Sequence, residues 1–141
     1  MERSIEFSVT IAAPTREVWS VLTEADKIPT WWEGVHAVKL TDPKPGGVYT
    51  LDYEGGNPDT CEILQSDPGK LLIYRWTSSE PAPTLVEYRL QDFEKGTRLA
   101  LRNTGYQTGG KWDKVYDANF VGWLKMMLGV RRLLEGAHSG D

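Results

Sequence analysis

Side chains with the chemistry of nucleophiles, bases or metal ligands are few in this sequence of 141 residues. The one thiol, Cys61, lies in an alternating apolar segment with Ile63, so we expect a buried cysteine with a raised pKa. The sequence contains neither a Gly-x-Ser-x-Gly turn nor a phosphate-binding glycine loop. No catalytic residue, nucleotide site or cofactor is therefore predicted.

The two histidines give a second place to look for chemistry. His138 falls in a polar C-terminal tail, where solvation is expected. His36 follows Trp31 and Trp32 in a β-rich segment, and two interpretations stay open. It is either a base or hydrogen-bond donor toward a ligand, or an ordinary strand histidine that faces solvent. Because His36, Cys61 and His138 lack the spacing of metal ligands, no metal site is predicted.

Aromatic side chains carry the strongest functional signal, because the sequence has six Trp and six Tyr. Most of them fall at alternating positions of apolar segments or along one stripe of a long C-terminal segment, and we expect these to face one interior volume. The predicted ligand-binding residues are Trp32, His36, Tyr49, Tyr53, Tyr74, Trp76, Tyr88, Trp112, Tyr116, Phe120, Trp123 and Met127. Buried hydroxyls and indoles need hydrogen-bond partners, which favours a partly polar pocket. The alternative is that these side chains simply fill a core.

One long amphipathic helix is predicted from Trp112 to Glu135. Its apolar side chains recur in steps of four and three and so share one stripe, whereas Lys, Arg and Gly occupy the opposite face. The stripe consists of Tyr116, Phe120, Trp123, Met127, Val130 and Leu134. Such a helix lies on an ordinary core or forms a lid over a cavity, and both interpretations stay open.

The rest of the chain predicts strands and two short helices. Alternation from Ile5 to Ile11 indicates a half-buried strand. A short helix is expected to begin near Pro14, and a second helical piece from about Asp26 to Trp32. From Gly34 to Leu101, alternating segments are separated by glycine- and proline-rich turns, which predicts about six consecutive antiparallel strands.

These elements predict an α+β architecture in a single domain over residues 1–136, followed by a polar tail over residues 137–141. A curved antiparallel sheet of about seven strands is expected to wrap around the long C-terminal helix. The two short helices lie between strands 1 and 2. Only the long helix is large enough to cover one face of such a sheet.

Several short pieces of the sequence, spread over nearly the whole chain, support a family resemblance. They are Ile11-Ala-Ala-Pro14, Val18-Trp19, Leu22-Thr23, Trp31-Trp32, Pro45-Gly-Gly47, the Leu72–Trp76 strand, Gly96-Thr97, Leu99, Gly122-Trp123 and Leu134-Glu135. In their order and spacing the chain resembles the activator of heat-shock protein 90 ATPase homolog-like family. That family lies within the START-like or SRPBCC superfamily, whose fold is called helix-grip.

The resemblance implies a cavity between sheet and helix that takes a small apolar or aromatic molecule, and this is the predicted function. A second hypothesis is a protein-interaction module that regulates a chaperone ATPase through the outer sheet face or loops. Such a module should show an exposed apolar patch. A third is a polyketide cyclase-like enzyme that uses His36 or a tyrosine, which requires a strongly perturbed pKa in the cavity. Whether the protein is an enzyme stays open, with binding favoured.

Composition excludes several classes of partner. The net charge of −4 and a pI near 5.2 argue against a nucleic-acid partner. No apolar stretch is long enough to span a bilayer, so no membrane partner is expected. The first residues carry no basic leader followed by an apolar run, and one cysteine permits no internal disulfide. We therefore expect a cytoplasmic protein.

Overall fold

The computed structural model describes residues 2–137 and has one sheet and two α-helices. The elements, in chain order, are β1 (Arg3–Ile11), α1 (Thr15–Thr23), a 3-10 turn (Ile28–Thr30), β2 (Val35–Leu40), β3 (Val48–Tyr53), β4 (Asp59–Asp67), β5 (Leu71–Trp76), β6 (Thr84–Phe93), β7 (Gly96–Tyr106) and α2 (Lys111–Ala137). This order confirms the predicted α+β helix-grip architecture. The residues of the predicted tail from His138 onward lie outside the described residues.

The sheet is a meander of strands β2 to β7, and the N-terminal strand β1 is added at the end beside β7. Its strand order is β1-β7-β6-β5-β4-β3-β2, and every neighbouring pair is antiparallel. Strands β2 to β7 follow each other directly, as the tight turns of the sequence predict, whereas β1 joins the sheet beside β7. A Cβ atom at Gly96 would lie 2.2 Å from the carbonyl oxygen of Ile11, so only glycine fits where β7 begins beside the end of β1. The two edge strands are therefore β1 and β2.

Strand alternation sorts the side chains as the sequence predicts. The buried inward-facing residues include Tyr49, Leu51, Cys61, Ile63, Leu72, Tyr74, Val86, Tyr88, Leu90, Leu99 and Leu101. Successive side chains of a strand point to opposite faces. At His36 this alternation is interrupted by a register shift of β2 between Val35 and Ala37; Val35 is buried and His36 is exposed. His36 therefore lies on the solvent side of β2, and its assignment as a ligand-binding residue stays a prediction.

Helix α2 covers the inner face of the sheet with the C-terminal part of the predicted stripe. Trp123, Met127, Val130 and Leu134 are buried, as predicted. Phe120 is instead 37 % exposed. The first turns of α2 pass over the edge strand β1 rather than over the centre of the sheet, so one side of the Phe120 ring has no strand to cover it. The expectation that Phe120 faces the interior is therefore wrong.

Candidate functional site

The middle of α2 and four strands enclose a continuous group of aromatic rings, here called the inner aromatic cluster. Its members are Trp31, Trp32, Tyr49, Tyr74, Trp76, Tyr88 and Trp123. Neighbouring rings have centroids 5.5 to 6.4 Å apart, and most cross at steep angles. Trp123 lies at the centre, in contact with Trp32, Trp76 and Tyr88. Edge-to-face packing of this kind stabilises each pair beyond simple burial of area.

The inner aromatic cluster leaves almost no free space. One void of about 10 Å³ is bounded by Trp31, Trp32, Tyr49, Tyr74 and Tyr88, together with Cys61 and aliphatic side chains. That volume suits about one water molecule. In this conformation, therefore, the aromatic residues fill the core. Any larger molecule enters only if some of these side chains move.

Two hydroxyl groups deep in the cluster are incompletely satisfied. The hydroxyls of Tyr74 and Tyr88 lie 2.8 Å apart and hydrogen-bond to each other. Each hydroxyl has one proton to donate, so a single mutual bond leaves one proton over. Within residues 2–137 that proton has no acceptor. The indole N–H of Trp76, on the same face of β5 as Tyr74, is also buried and has no hydrogen-bond partner in the described region.

The ionisable groups of the cluster are held in their neutral forms. Burial raises the pKa of the Tyr49, Tyr74 and Tyr88 hydroxyls, and it also raises the pKa of the Cys61 thiol. At neutral pH these groups are therefore hydrogen-bond donors and not anionic nucleophiles.

A chain of polar contacts closes the cluster where β3 and β4 meet. The indole N–H of Trp32 donates to the hydroxyl of Tyr53 at 2.9 Å, and that hydroxyl donates to Asp59 at 2.6 Å. Ser78 donates to the other carboxylate oxygen of Asp59 at 2.8 Å. Burial and the Asp59 carboxylate raise the pKa of Tyr53. This chain orients Trp32 and Tyr53 together.

Sequence reasoning missed two members of that chain. Asp59 shares the inward face of β4 with Cys61 and Ile63, so strand alternation alone is enough to place Asp59 on that face. Ser78 lies in the loop after β5, where no periodic pattern applies. The role of Ser78 is visible only in the tertiary structure, where the start of β4 lies against that loop.

The remaining predicted aromatic residues form a separate group, here called the outer aromatic cluster. Its members are Phe7, Tyr106, Trp112, Tyr116 and Phe120, with ring centroids 4.9 to 6.2 Å apart. The hydroxyl of Tyr116 donates to the carbonyl of Ser4 at 2.9 Å, and the Arg3 guanidinium lies 4.3 Å from the Tyr116 ring centroid. These contacts fasten the start of α2 to β1. Trp112, Tyr116 and Phe120 therefore do not join the other predicted site residues.

Asn103 connects the two clusters. Its side-chain oxygen accepts hydrogen bonds from the indole N–H of Trp123 at 3.0 Å and from the hydroxyl of Tyr106 at 2.5 Å. Its amide nitrogen donates to the carbonyl of Leu85 at 2.8 Å. Asn103 is fully buried, and both of its side-chain polar atoms make hydrogen bonds. It fixes the orientation of the Trp123 indole at the centre of the inner aromatic cluster.

A much larger opening lies outside the inner aromatic cluster, beyond the C-terminal end of α1. This outer cleft has a volume of about 510 Å³. It shares two lining residues, Tyr49 and Leu72, with the small interior void. The hydroxyl of Tyr49 donates to the carbonyl of Thr23 at 2.7 Å and so ties β3 to the end of α1. Tyr49 and Leu72 therefore separate the open cleft from the closed interior.

Comparison with known proteins identifies the family to which this fold and site belong. Residues 12–135 match the family model described as Activator of Hsp90 ATPase homolog 1-like protein. The chain belongs to this family. The match spans most of the chain, from the end of β1 to the last turns of α2, and agrees with the predicted resemblance. No curated protein matched the sequence in a direct search.

Solved structures of this family's fold superpose well at low sequence identity. Protein MLL2253 from Mesorhizobium loti is 22% identical with a TM-score of 0.81, and the alignment covers 99% of both chains. The Aha1 dimer from Colwellia psychrerythraea is 16% identical with a TM-score of 0.78, over 94% of this chain and 96% of that one. CalU16 from Micromonospora echinospora is 25% identical with a TM-score of 0.76, over 96% and 76% of the respective chains. These similarities show a shared fold.

Metal-binding clusters and membrane-spanning helices are absent from the described residues. Among residues 2–137, no group of three or more His, Cys, Asp or Glu side chains is arranged to hold a metal ion. In the same part of the chain, no helix has the length and hydrophobicity needed to cross a membrane.

Proposed function

We propose that this domain binds a small, flat, apolar or aromatic molecule within the inner aromatic cluster. One observation carries the proposal: two buried donors in that cluster, the spare proton of the Tyr74–Tyr88 pair and the Trp76 indole N–H, have no acceptor within residues 2–137. Leaving a buried donor unsatisfied costs about 1–3 kcal/mol. A ligand with a carbonyl or ether oxygen placed among the rings recovers that free energy.

The ligand needs space that the closed conformation does not offer. The interior void holds about 10 Å³, whereas the outer cleft holds about 510 Å³. Movement of Tyr49 and Leu72 joins the two spaces. The Tyr49 hydroxyl gives up one hydrogen bond, to Thr23, in this movement, at a net cost of about 1 kcal/mol. Entry from the α1 end therefore leaves the inner sheet hydrogen bonds intact.

The test uses two ligands of nearly the same shape, 1-indanone and indane, of which only the ketone offers an acceptor. We expect 1-indanone to raise the melting temperature in a saturable way, and native mass spectrometry to detect the complex. Indane should bind more weakly. Absence of binding by both compounds, or equal binding of both, would contradict the proposal.

Matched variants test whether the preference for 1-indanone over indane arises in the inner aromatic cluster. Tyr74→Phe combined with Tyr88→Phe removes both hydroxyls and should abolish the preference for the ketone over indane. Replacing both partners of a hydrogen bond by apolar groups of similar shape changes stability little, so the double variant is expected to fold. Tyr116→Phe, in the outer aromatic cluster, is the control and should leave the preference unchanged.

A second candidate function is supported by exposed apolar residues on α2. Phe120 is 37 % exposed, Val121 49 % and Leu124 39 %, and helical spacing puts these three side chains on one side of α2. Exposed apolar groups of this kind mark protein contacts when they are contiguous. The similar Colwellia protein is described as a dimer. A contact with a chaperone of the Hsp90 class, or with a second copy, therefore uses the helix rather than the outer sheet face that the sequence predicts.

Substitution by lysine on each surface tests whether the contact uses α2 or the outer face of the sheet. Leu124→Lys should weaken self-association in light scattering, or capture of a purified Hsp90-class chaperone, if α2 forms the contact. Leu85→Lys is the matched control, since Leu85 is 40 % exposed on β6 and its loss tests the sheet face. If only Leu85→Lys weakens binding, the contact lies on the sheet. A monomer that captures no chaperone would eliminate this second candidate.

A further inference from the structure

The outer cleft has the size and lining of a binding site in its own right. Its volume of about 510 Å³ lies within the range of about 300–1,000 Å³ that is usual for small-molecule sites. Four chain segments build it: the end of α1, the turn that follows, the β2–β3 turn and the β4–β5 turn. The apolar part of the lining consists of Trp19, Leu40, Pro43, Pro68 and Leu72.

The indole of Trp19 gives this cleft an aromatic wall. Trp19 lines the cleft, is only half-buried, and its ring N–H makes no hydrogen bond within the described residues. It also makes no ring contact with either aromatic cluster. Trp19 packs against the core with its buried part, and its exposed part is available in the cleft for stacking or for a cation–π contact.

The charge of the lining has one sign. The two charged lining residues are Glu24 and Asp26, and both are acidic. Glu24 accepts a hydrogen bond from Ser20 and lies 3.5 Å from the Lys27 ammonium, and these contacts lower the pKa of Glu24. Asp26 is exposed and makes no ion pair or side-chain hydrogen bond within residues 2–137. The lining therefore has one carboxylate that is partly neutralised by a lysine and one that has no counter-charge.

We propose that the outer cleft is a second binding site, which takes an aromatic molecule carrying a protonated amine. The ring packs against Trp19 and Leu40, and the ammonium group lies near Asp26. This site is distinct from the inner aromatic cluster, because Tyr49 and Leu72 separate the two spaces. The inference does not require the interior to open, so it stands or falls independently of the function proposed above.

Indole N–H signals in a proton–nitrogen NMR spectrum report directly on this site. The chain has six Trp, and Trp19 is the one that lines the cleft, so each probe is located by the signal that it shifts. The probes are 2-naphthylmethylamine, the neutral 2-naphthylmethanol and the anionic 2-naphthoate. The variant Trp19→Phe assigns the Trp19 signal by deleting it.

We expect the amine to shift the Trp19 signal in a saturable way. The alcohol should bind about 1.5- to 5-fold more weakly, as is usual for loss of one exposed ion pair, and the carboxylate more weakly still. Asp26→Asn should weaken binding of the amine by the same factor without affecting the alcohol. The matched control is Asp117→Asn, on the exposed face of α2, which should change nothing.

Several outcomes would overturn the inference. These are an unmoved Trp19 signal, equal binding of the three probes, or equal effects of Asp26→Asn and Asp117→Asn. Shifts confined to Trp32, Trp76 and Trp123 would also overturn it, while supporting binding in the inner aromatic cluster. A shift of Trp19 alone would support the cleft site and leave the interior proposal to its own test.

Discussion

The inner and outer aromatic clusters are built from the same residue types on the same helix, yet they differ in what their polar atoms do. In the outer cluster, the Tyr116 hydroxyl is bonded to a backbone carbonyl of β1 and the Tyr106 hydroxyl to Asn103. In the inner cluster, one proton of the Tyr74–Tyr88 pair and the Trp76 indole N–H have no acceptor within residues 2–137. The two tyrosine hydroxyls of the outer cluster therefore have partners within the fold, although the buried Nε of Arg3, over the Tyr116 ring, has none among residues 2–137. In the inner cluster the spare donors are on the rings themselves.

This difference shows that an aromatic side chain on a buried stripe is not by itself a sign of binding. A ring whose polar atom is satisfied within the fold contributes to stability, and its pattern in sequence is the same as that of a ring in a site. Buried ring donors without a partner distinguish the two clusters, because the fold incurs a cost there that a ligand or a water molecule removes.

The largest expected effect concerns alkaline pH. Burial raises the pKa of Tyr49, Tyr74, Tyr88 and the Cys61 thiol in the folded state. The unfolded chain then loses these protons first, so their stabilising contribution is complete below pH 9 and declines above it. Each group removes about 1.4 kcal/mol per pH unit above its ordinary pKa, which amounts to several kcal/mol by pH 11.

The outer cluster contributes less to this decline because Tyr106, whose pKa burial raises to about 12, is one group there, against the four groups of the interior. Urea unfolding at pH 8, 9, 10 and 11 measures the slope. Tyr74→Phe combined with Tyr88→Phe should make the slope shallower. An unchanged slope in that double variant would show that the inner tyrosines are not responsible.

Truncation of the central ring gives the next largest effect. Trp123→Ala should lower the free energy of unfolding by about 3–5 kcal/mol, because Trp123 is fully buried and contacts three other rings. Trp112→Ala, in the outer cluster, should cost clearly less because Trp112 is only half-buried. Chemical denaturation of both variants checks the difference. Equal losses would mean that the two clusters contribute alike to stability.

The smallest effect comes from two variants that each remove one hydrogen bond to a backbone carbonyl. Tyr49→Phe loses the bond to Thr23, and Tyr116→Phe loses the bond to Ser4. Both should cost about 0.5–1.5 kcal/mol of stability. Only Tyr49→Phe is expected to speed the uptake of 1-indanone, measured by stopped-flow tryptophan fluorescence. If Tyr116→Phe changes uptake equally, entry does not occur past Tyr49.

Local patterns account for most of what could be predicted about the fold. The alternation of Tyr49, Leu51 and Tyr53, and that of Leu72, Tyr74 and Trp76, assigned the inward faces correctly. Helical spacing assigned Trp123 and Met127 to the buried stripe. These predictions succeed because the period of a strand or helix depends only on backbone geometry.

The candidate site was predictable only in part. Eight of the twelve predicted residues lie in the interior or at its margin, whereas His36 is exposed. The eight are Trp32, Tyr49, Tyr53, Tyr74, Trp76, Tyr88, Trp123 and Met127. Trp112, Tyr116 and Phe120 belong to the outer cluster. Their helical spacing matched the stripe, but spacing does not say which strand lies under each turn of a helix.

The sequence by itself determined the order of the elements and the face that each strand turns inward, because both rest on residue types at short, regular spacing. The family followed from the resemblance of motifs spread along the chain, with which the family model agrees. Only the tertiary structure decided that the rings fill the interior, that Asp59 and Ser78 close it, and that α1 and three turns form an outer cleft. Those features depend on how segments far apart in the chain approach one another, which no local period encodes.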